Sequence, residues 1–319
     1  MKTMNPVVVL LFVFTVAGLK AAEPLSYEER AAQISAFYAR ELPKLPEGTI
    51  KVVDQPYVDE EVRGFSPDSS QKLDLFVPAG PGSFPLLVNI HGGGWHSGGK
   101  EGGVALAQAY LPKGIAVASL TYRLVKDAPF PAQIEDCNAA IAWLRAHAQE
   151  YQIKPDRVAV TGHSAGAHLC ALIATTGDKS IFKNPQKVQA AVCAAGIFDM
   201  DRDRGQWPEK SFLRNERAPM MLFFPGKTYD EAFARYASPQ SYIHAGMPPT
   251  YIVHGDSDRL VPIGQARVFA DDLKKAGVDV TWRVTAGRDH GDVMDKGARA
   301  EVAAFLENHL KQSPVAGNE

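Results

Sequence analysis

The stretch RVAVTGHSAGAHLCALIATT, residues 157–176, decides how the chain is read. It opens with an apolar run of strand type at residues 158–160 and turns through Gly162-His163-Ser164-Ala165-Gly166. It continues with Leu169, Ala171, Leu172 and Ala174 at helical spacing. The glycines on either side of the serine have a steric reason. A strand-to-helix turn this tight holds the serine strained at its tip, and side chains two residues before and after would collide. The turn lifts the Ser164 hydroxyl above the sheet edge, at the positive end of a helix. A strand before and a helix after make it a nucleophile elbow rather than a plain glycine-rich turn.

Upstream, residues 85–90 form a near-continuous apolar run, as expected of a strand buried on both faces. It ends in His91-Gly92-Gly93-Gly94-Trp95. Three successive glycines let the backbone approach a ligand closely and aim N–H groups at one spot, which suits an oxyanion hole. Further strands are expected near residues 52–53, 73–77, 115–120, 188–194, 250–253 and 278–284, with helices near 103–111, 131–144, 263–276 and 298–310. Strands separated by helices imply right-handed crossovers and a mostly parallel sheet of about eight strands flanked by helices. Residues 197–247 break that rhythm and read as a lid or cap insertion, with a short helix at 231–236. There are no internal repeats and no low-complexity linkers.

Of 319 residues, 45% are hydrophobic, enough for a full core in one α/β domain. A net charge of −2 with no basic block gives no support for nucleic-acid binding. Residues 1–22 form a separate unit: Lys2, an apolar run at 7–19, then Ala21-Ala22. About 13 apolar residues fall short of the roughly 20 that span a bilayer, so the unit reads as a secretory signal peptide cut after Ala21 or Ala22. The expected mature domain is 23–315, secreted or periplasmic, without stable membrane insertion after cleavage. A capping box at Ser26-Tyr27-Glu28-Glu29 starts an N-terminal helix running to Pro43. Cys137, Cys170 and Cys193 lie among apolar neighbours, read as buried free thiols, and lack the spacing of a zinc site.

A serine hydroxyl attacks only when a base takes its proton, and that base needs a carboxylate to fix its tautomer. The order serine, acid, histidine is present, each at the C-terminal end of a strand, the edge where parallel sheets carry their sites. His290, in the loop that directly follows the last strand, is the candidate base. The acid is a choice between Asp256 and Asp258, with Asp201 and Asp203 further off. Asp258, four residues before Pro262, is favoured because it can reach toward His290, whereas Asp256 follows Gly255 directly and suits a turn cap. Trp95 and His163 are the candidate substrate contacts. Trp95 has a second reading, as packing.

With these residues in view, the chain resembles the α/β-hydrolase fold, and more narrowly the hormone-sensitive-lipase-like carboxylesterases. It is especially similar to the bacterial branch that includes acetyl-xylan and feruloyl esterases and kynurenine formamidase relatives. The resemblance rests on HGGGW at His91, YRL at Tyr122, GHSAG at Gly162, ASP at Ala237, HGDSDRLVP at His254 and DHG at Asp289. It implies that the backbone N–H groups of Gly93, Gly94 and Ala165 form the oxyanion hole. It also implies that G-x-x-D-x-x-V-P places the acid on Asp258 and that the base is His290. The implied activity is hydrolysis of a small-molecule or oligosaccharide carboxylic ester through an acyl-enzyme, with no metal or organic cofactor. An amide or formamide hydrolase on the same scaffold is the alternative, and a non-catalytic binding protein is a third reading. Oligomeric state has no signature in the sequence.

Overall fold

The computed structural model describes residues 44–58, 71–201 and 230–311. The expected signal peptide and the N-terminal helix lie outside the described residues. So does most of the expected lid, of which 197–201 and 230–247 are described.

Eight strands form one sheet: β1 (Ile50–Pro56), β2 (Lys72–Val77), β3 (Phe84–Ile90), β4 (Ala116–Leu120), β5 (Ile153–His163), β6 (Ala190–Ala194), β7 (Thr250–Gly255) and β8 (Val280–Thr285). Their spatial order is β1-β2-β4-β3-β5-β6-β7-β8. The pairs β1–β2 and β2–β4 are antiparallel, and every pair from β4–β3 to β7–β8 is parallel. Among the described residues, six α-helices accompany them: α1 (Gly103–Tyr110), α2 (Ala132–Ala146), α3 (Ala165–Thr176), α4 (Glu231–Tyr236), α5 (Gly264–Lys275) and α6 (Lys296–Lys311). The helix expected to open on Pro131 starts one residue later, with Pro131 as its N-cap. Among the described residues, no helix is long and apolar enough to cross a membrane.

The continuous apolar strands follow from coverage on both faces. Along β3, Leu86, Val88 and Ile90 enter one core, while Leu87 enters the other. On β4, Ala116, Ala118 and Leu120 alternate with Val117 in the same way. The first core is closed by α2, α3 and α5 through Ile134, Ile141, Leu169, Leu172, Phe269 and Leu273. The second is closed by α1 and α6 through Ala107, Tyr110, Val302 and Leu306. At roughly 1.5–3 kcal/mol per large apolar side chain removed from water, these two layers dominate the folding free energy.

The strand order reverses at β3. The chain leaves β3 toward β4 on one side and returns to β5 on the other. In parallel sheets, a crevice opens at such a switch point, beyond the carboxyl ends of the strands. The glycine loop follows β3 and the elbow follows β5, so both lie at that crevice.

Cys137, Cys170 and Cys193 are free and buried, and burial pushes each thiol well above its usual range. A thiol reagent should therefore label none of them in the native protein and all three in denaturant. Rapid native labelling of even one would contradict this packing.

Candidate active site

Ser164 stands between β5 and α3 with φ 56° and ψ −121°, a conformation that costs a non-glycine residue roughly 1–3 kcal/mol. Its N–H donates to the Ala194 carbonyl at 2.8 Å, and its carbonyl accepts from His168 at 3.0 Å. Both flanking glycines are sterically required. A Cβ on Gly162 would stand 2.5 Å from the Gly166 backbone, and one on Gly166 would overlap the Ile90 carbonyl oxygen. The elbow helix is thus pressed against the end of β3.

The same contact brings in the glycine loop. A Cβ on Gly92 would come within 2.6 Å of the His163 carbonyl oxygen and 3.4 Å of the Ser164 Cβ. Gly93 and Gly94 both have positive φ, 108° and 59°. The Gly93 carbonyl accepts from His96 and Ser97 N–H groups at 3.2 and 3.1 Å, which folds the loop back on itself. Ala165 opens α3, where the first N–H groups of a helix lack intrahelical partners. Gly93 and Gly94, in the glycine loop, and Ala165, at the start of α3, therefore belong to two segments in contact at the switch point.

Trp95 is not a pocket wall. Its side chain is completely buried, its Nε1–H donates to His168 Nδ1 at 3.2 Å, and its ring meets the His168 ring edge-on. Of the two readings, packing is the one observed. Because His168 Nδ1 accepts, its Nε2 carries the hydrogen and donates to the Ala237 carbonyl at 2.8 Å. A chain of donors thus links the glycine loop, α3 and the residue after α4. Ser238 extends it: its hydroxyl donates to the Ala234 carbonyl and accepts from Met200 N–H. His91 behaves similarly, with Nδ1 at 2.7 Å from the Gly92 carbonyl and its ring stacked 4.2 Å from that of Tyr122, whose hydroxyl donates to the His91 carbonyl.

The acid and base come from the last two strands. His290 Nδ1 lies 2.8 Å from Asp258 Oδ2. Asp258 Oδ1 accepts from Leu260 and Val261 N–H groups at 2.9 and 2.8 Å. Burial works to raise this carboxyl, but hydrogen bonds from His254, His290 and Val261 outweigh it and hold it well below the usual carboxylate range. Asp256 is elsewhere: its Oδ1 accepts from Gly287 N–H at 2.7 Å, capping the turn after β8. Asp201 pairs with Arg235 at 3.0 Å, and Asp203 lies outside the described residues. Of the three candidate acids among the described residues, Asp258 is the one that meets His290.

His163 joins this pair to the elbow. Its Nε2–H donates to the His290 backbone carbonyl at 2.7 Å, and the two rings are 4.7 Å apart. Burial, then the neighbouring His290, pull its pKa down to about 4. His163, a candidate substrate contact, is thus engaged with the base loop through Nε2. Sequence reasoning also passed over Arg259 and Asp289. The Asp289 carboxylate accepts from the N–H groups of Arg259 and His290 at 3.0 and 2.8 Å and from the Arg259 guanidinium. A charged residue in each of two loops was the available signal. Among the described residues, no cluster of side chains is suited to a metal ion.

An eight-stranded, mostly parallel sheet with these loops at its switch point is the α/β-hydrolase fold. Solved structures agree: esterase B of Lactobacillus rhamnosis superposes with a TM-score of 0.74 at 21% identity, covering 90% of this chain and 94% of that one. A truncated carbohydrate esterase from gut microbiota gives 0.71 at 23%, covering 85% of this chain and 100% of that one. Residues 73–273 match BD-FAE, and the chain belongs to that family. Relatives in Mycobacterium tuberculosis include LipM, named a probable carboxylic ester hydrolase, 34% identical over 72% of this chain and 55% of that protein. The carboxylic ester hydrolase LipN is 44% identical over 68% of this chain and 59% of its own length. The chain thus spans little more than half the length of these relatives.

Burial pulls the pKa of His91 and of His168 down to about 4, against the hydrogen bonds each makes to a backbone carbonyl. Unfolded, both imidazoles take up protons near pH 6.5. Between these values the unfolded chain binds more protons, so stability falls as pH drops from about 6.5 to about 4. The loss is on the order of 3 kcal/mol per imidazole for a pKa of about 4. Urea midpoints measured across this window should fall and then level off; a flat profile would refute the neutral buried rings.

Proposed function

We propose that the chain is a serine carboxylic ester hydrolase. The observation that carries this reading is the 2.8 Å contact between Asp258 and His290, delivered beside the strained Ser164 turn. Ester hydrolase names among the BD-FAE relatives support it. Ser164 Oγ attacks the ester carbonyl while His290 takes its proton, and Asp258 steadies the imidazolium. The oxyanion is held by N–H groups of Gly93, Gly94 and Ala165. Collapse of the tetrahedral intermediate passes the proton from His290 to the departing alcohol. Water then repeats the sequence on the acyl-enzyme, releasing the acid and restoring the hydroxyl.

The substrate class is a small-molecule or oligosaccharide ester, with acetyl and feruloyl esters of plant polysaccharides as the leading candidates. Likeness to a gut carbohydrate esterase supports this. Another likeness, at 26% identity and TM-score 0.71, is to a bifunctional GH43-CE protein of Bacteroides eggerthii, of which the match covers 38%. The apolar run at 7–19 followed by Ala21-Ala22 supports action outside the cytoplasm, after removal of residues 1–22.

Purified protein assayed on aryl acetate, methyl ferulate and N-formylkynurenine should turn over the esters. Preference for the formamide would replace ester by amide hydrolysis on the same machinery. Ser164→Ala and His290→Ala should each lower kcat by about 10⁶-fold, since such residues act as a unit. Near-normal activity in either variant defeats the assignment. Asp258→Asn should cost roughly 10⁴-fold, far more than Asp256→Asn, and the reverse order would move the acid.

A further inference from the structure

Asp258 has one neighbour more than this chemistry requires. His254, on β7, is fully buried. Its Nε2 lies 2.9 Å from the Val261 carbonyl oxygen and 3.0 Å from Asp258 Oδ2. A carbonyl oxygen only accepts, so Nε2 carries a hydrogen and shares it with the carboxylate. Nδ1 of the same ring has no hydrogen-bond partner among the described residues. The ring's hydrogen bonding is therefore directed at the loop that carries Asp258.

We propose that His254 is a positioning residue for Asp258, fixing the carboxylate so that Oδ2 points at His290 Nδ1. The inference rests on the ester hydrolase reading above. An ionised carboxylate offers about four acceptor positions. Leu260 and Val261 N–H groups fill those of Oδ1, and His290 and His254 fill those of Oδ2. Two donors on Oδ1 alone leave the group free to pivot about that oxygen. The fourth comes from a strand rather than a loop, and rigid elements hold a site more closely. An apolar side chain at position 254 would leave Oδ2 short of one donor where its carboxylate has no solvent exposure. Among the described residues, the other charged or titratable groups around the pair are His163, its ring 4.7 Å from that of His290 and tilted against it, and the Arg259–Asp289 ion pair.

The test compares His254→Leu, His254→Asn and His254→Gln in the full chain, with kcat and KM measured across pH on an aryl acetate. Glutamine places an amide N–H where Nε2 stands, whereas asparagine reaches only as far as Nδ1. Leucine and asparagine should lower kcat about 10- to 100-fold with little change in KM. Each should also move the acid limb of kcat/KM upward by about half a unit, because negative charge no longer shared with His254 strengthens the hold on the His290 proton. Glutamine should restore both. Equal losses in all variants with an unmoved acid limb, or full activity in the leucine and asparagine variants, overturn the proposal. Proton NMR of the His290 Nδ1–H reads the same contact without turnover. Its resonance should shift in the leucine and asparagine variants and return in glutamine; one position throughout overturns the proposal. Should leucine prevent folding, the asparagine–glutamine contrast decides in the same terms. Retained turnover in Ser164→Ala would remove the ester hydrolase reading while leaving the NMR comparison intact, so the two failures are distinguishable.

Discussion

The close approach of Gly166 to the carbonyl end of β3 is the constraint on which the crevice depends. A methyl group there would overlap the Ile90 carbonyl oxygen. Helix α3 can therefore start directly above β3 only with glycine at this position, and Ser164 must take its positive φ to enter it. The strain is held in place by parallel pairing of β5 with β3 on one side and β6 on the other. It is also held by the Ser164 N–H on the Ala194 carbonyl. Strain at one residue persists when its surroundings over-determine it. Here two ladders and one close backbone contact do so.

Neutral histidines do much of the remaining assembly. His91, His163 and His168 each engage a backbone carbonyl of another segment or of the glycine loop. An imidazole suits this work because one nitrogen can donate while the other accepts, so a single ring passes direction through the interior. Trp95 to His168 to Ala237 is such a relay. A protonated ring could not accept from Trp95, so the relay requires the uncharged form that burial already favours.

What the sequence made legible was whatever is encoded over a few neighbouring residues. Strand β3 announced itself as a buried apolar run, and the elbow as two glycines bracketing a serine. Asp258 was favoured over Asp256 by reach along its loop, and it is the one that meets His290. The direction of β1 and β2 was not legible, because antiparallel pairing depends on partners found only after collapse. Trp95 stayed divided between pocket wall and packing because its partner, His168, lies 73 residues away. His163 was read as a substrate contact. The carbonyl that occupies its Nε2 is 127 residues further on, beyond any local pattern.

The tethers on the base loop differ in strength for a reason that bears on how His290 is held. Arg259 and Asp289 bridge the acid and base loops, yet the Arg259 side chain is 85% exposed. Exposed ion pairs are worth about 0–1 kcal/mol because water and salt screen them. The bridge therefore sets register more than stability. By contrast, the Asp258 side chain is fully buried and the His290 side chain only 14% exposed. Breaking that contact strands a carboxylate with an acceptor unfilled, and an unsatisfied buried charge costs several times more than the screened pair. His290 is thus held chiefly by the same hydrogen bond that would orient it for proton transfer, so loss of the acid would loosen the base loop as well as its electrostatics.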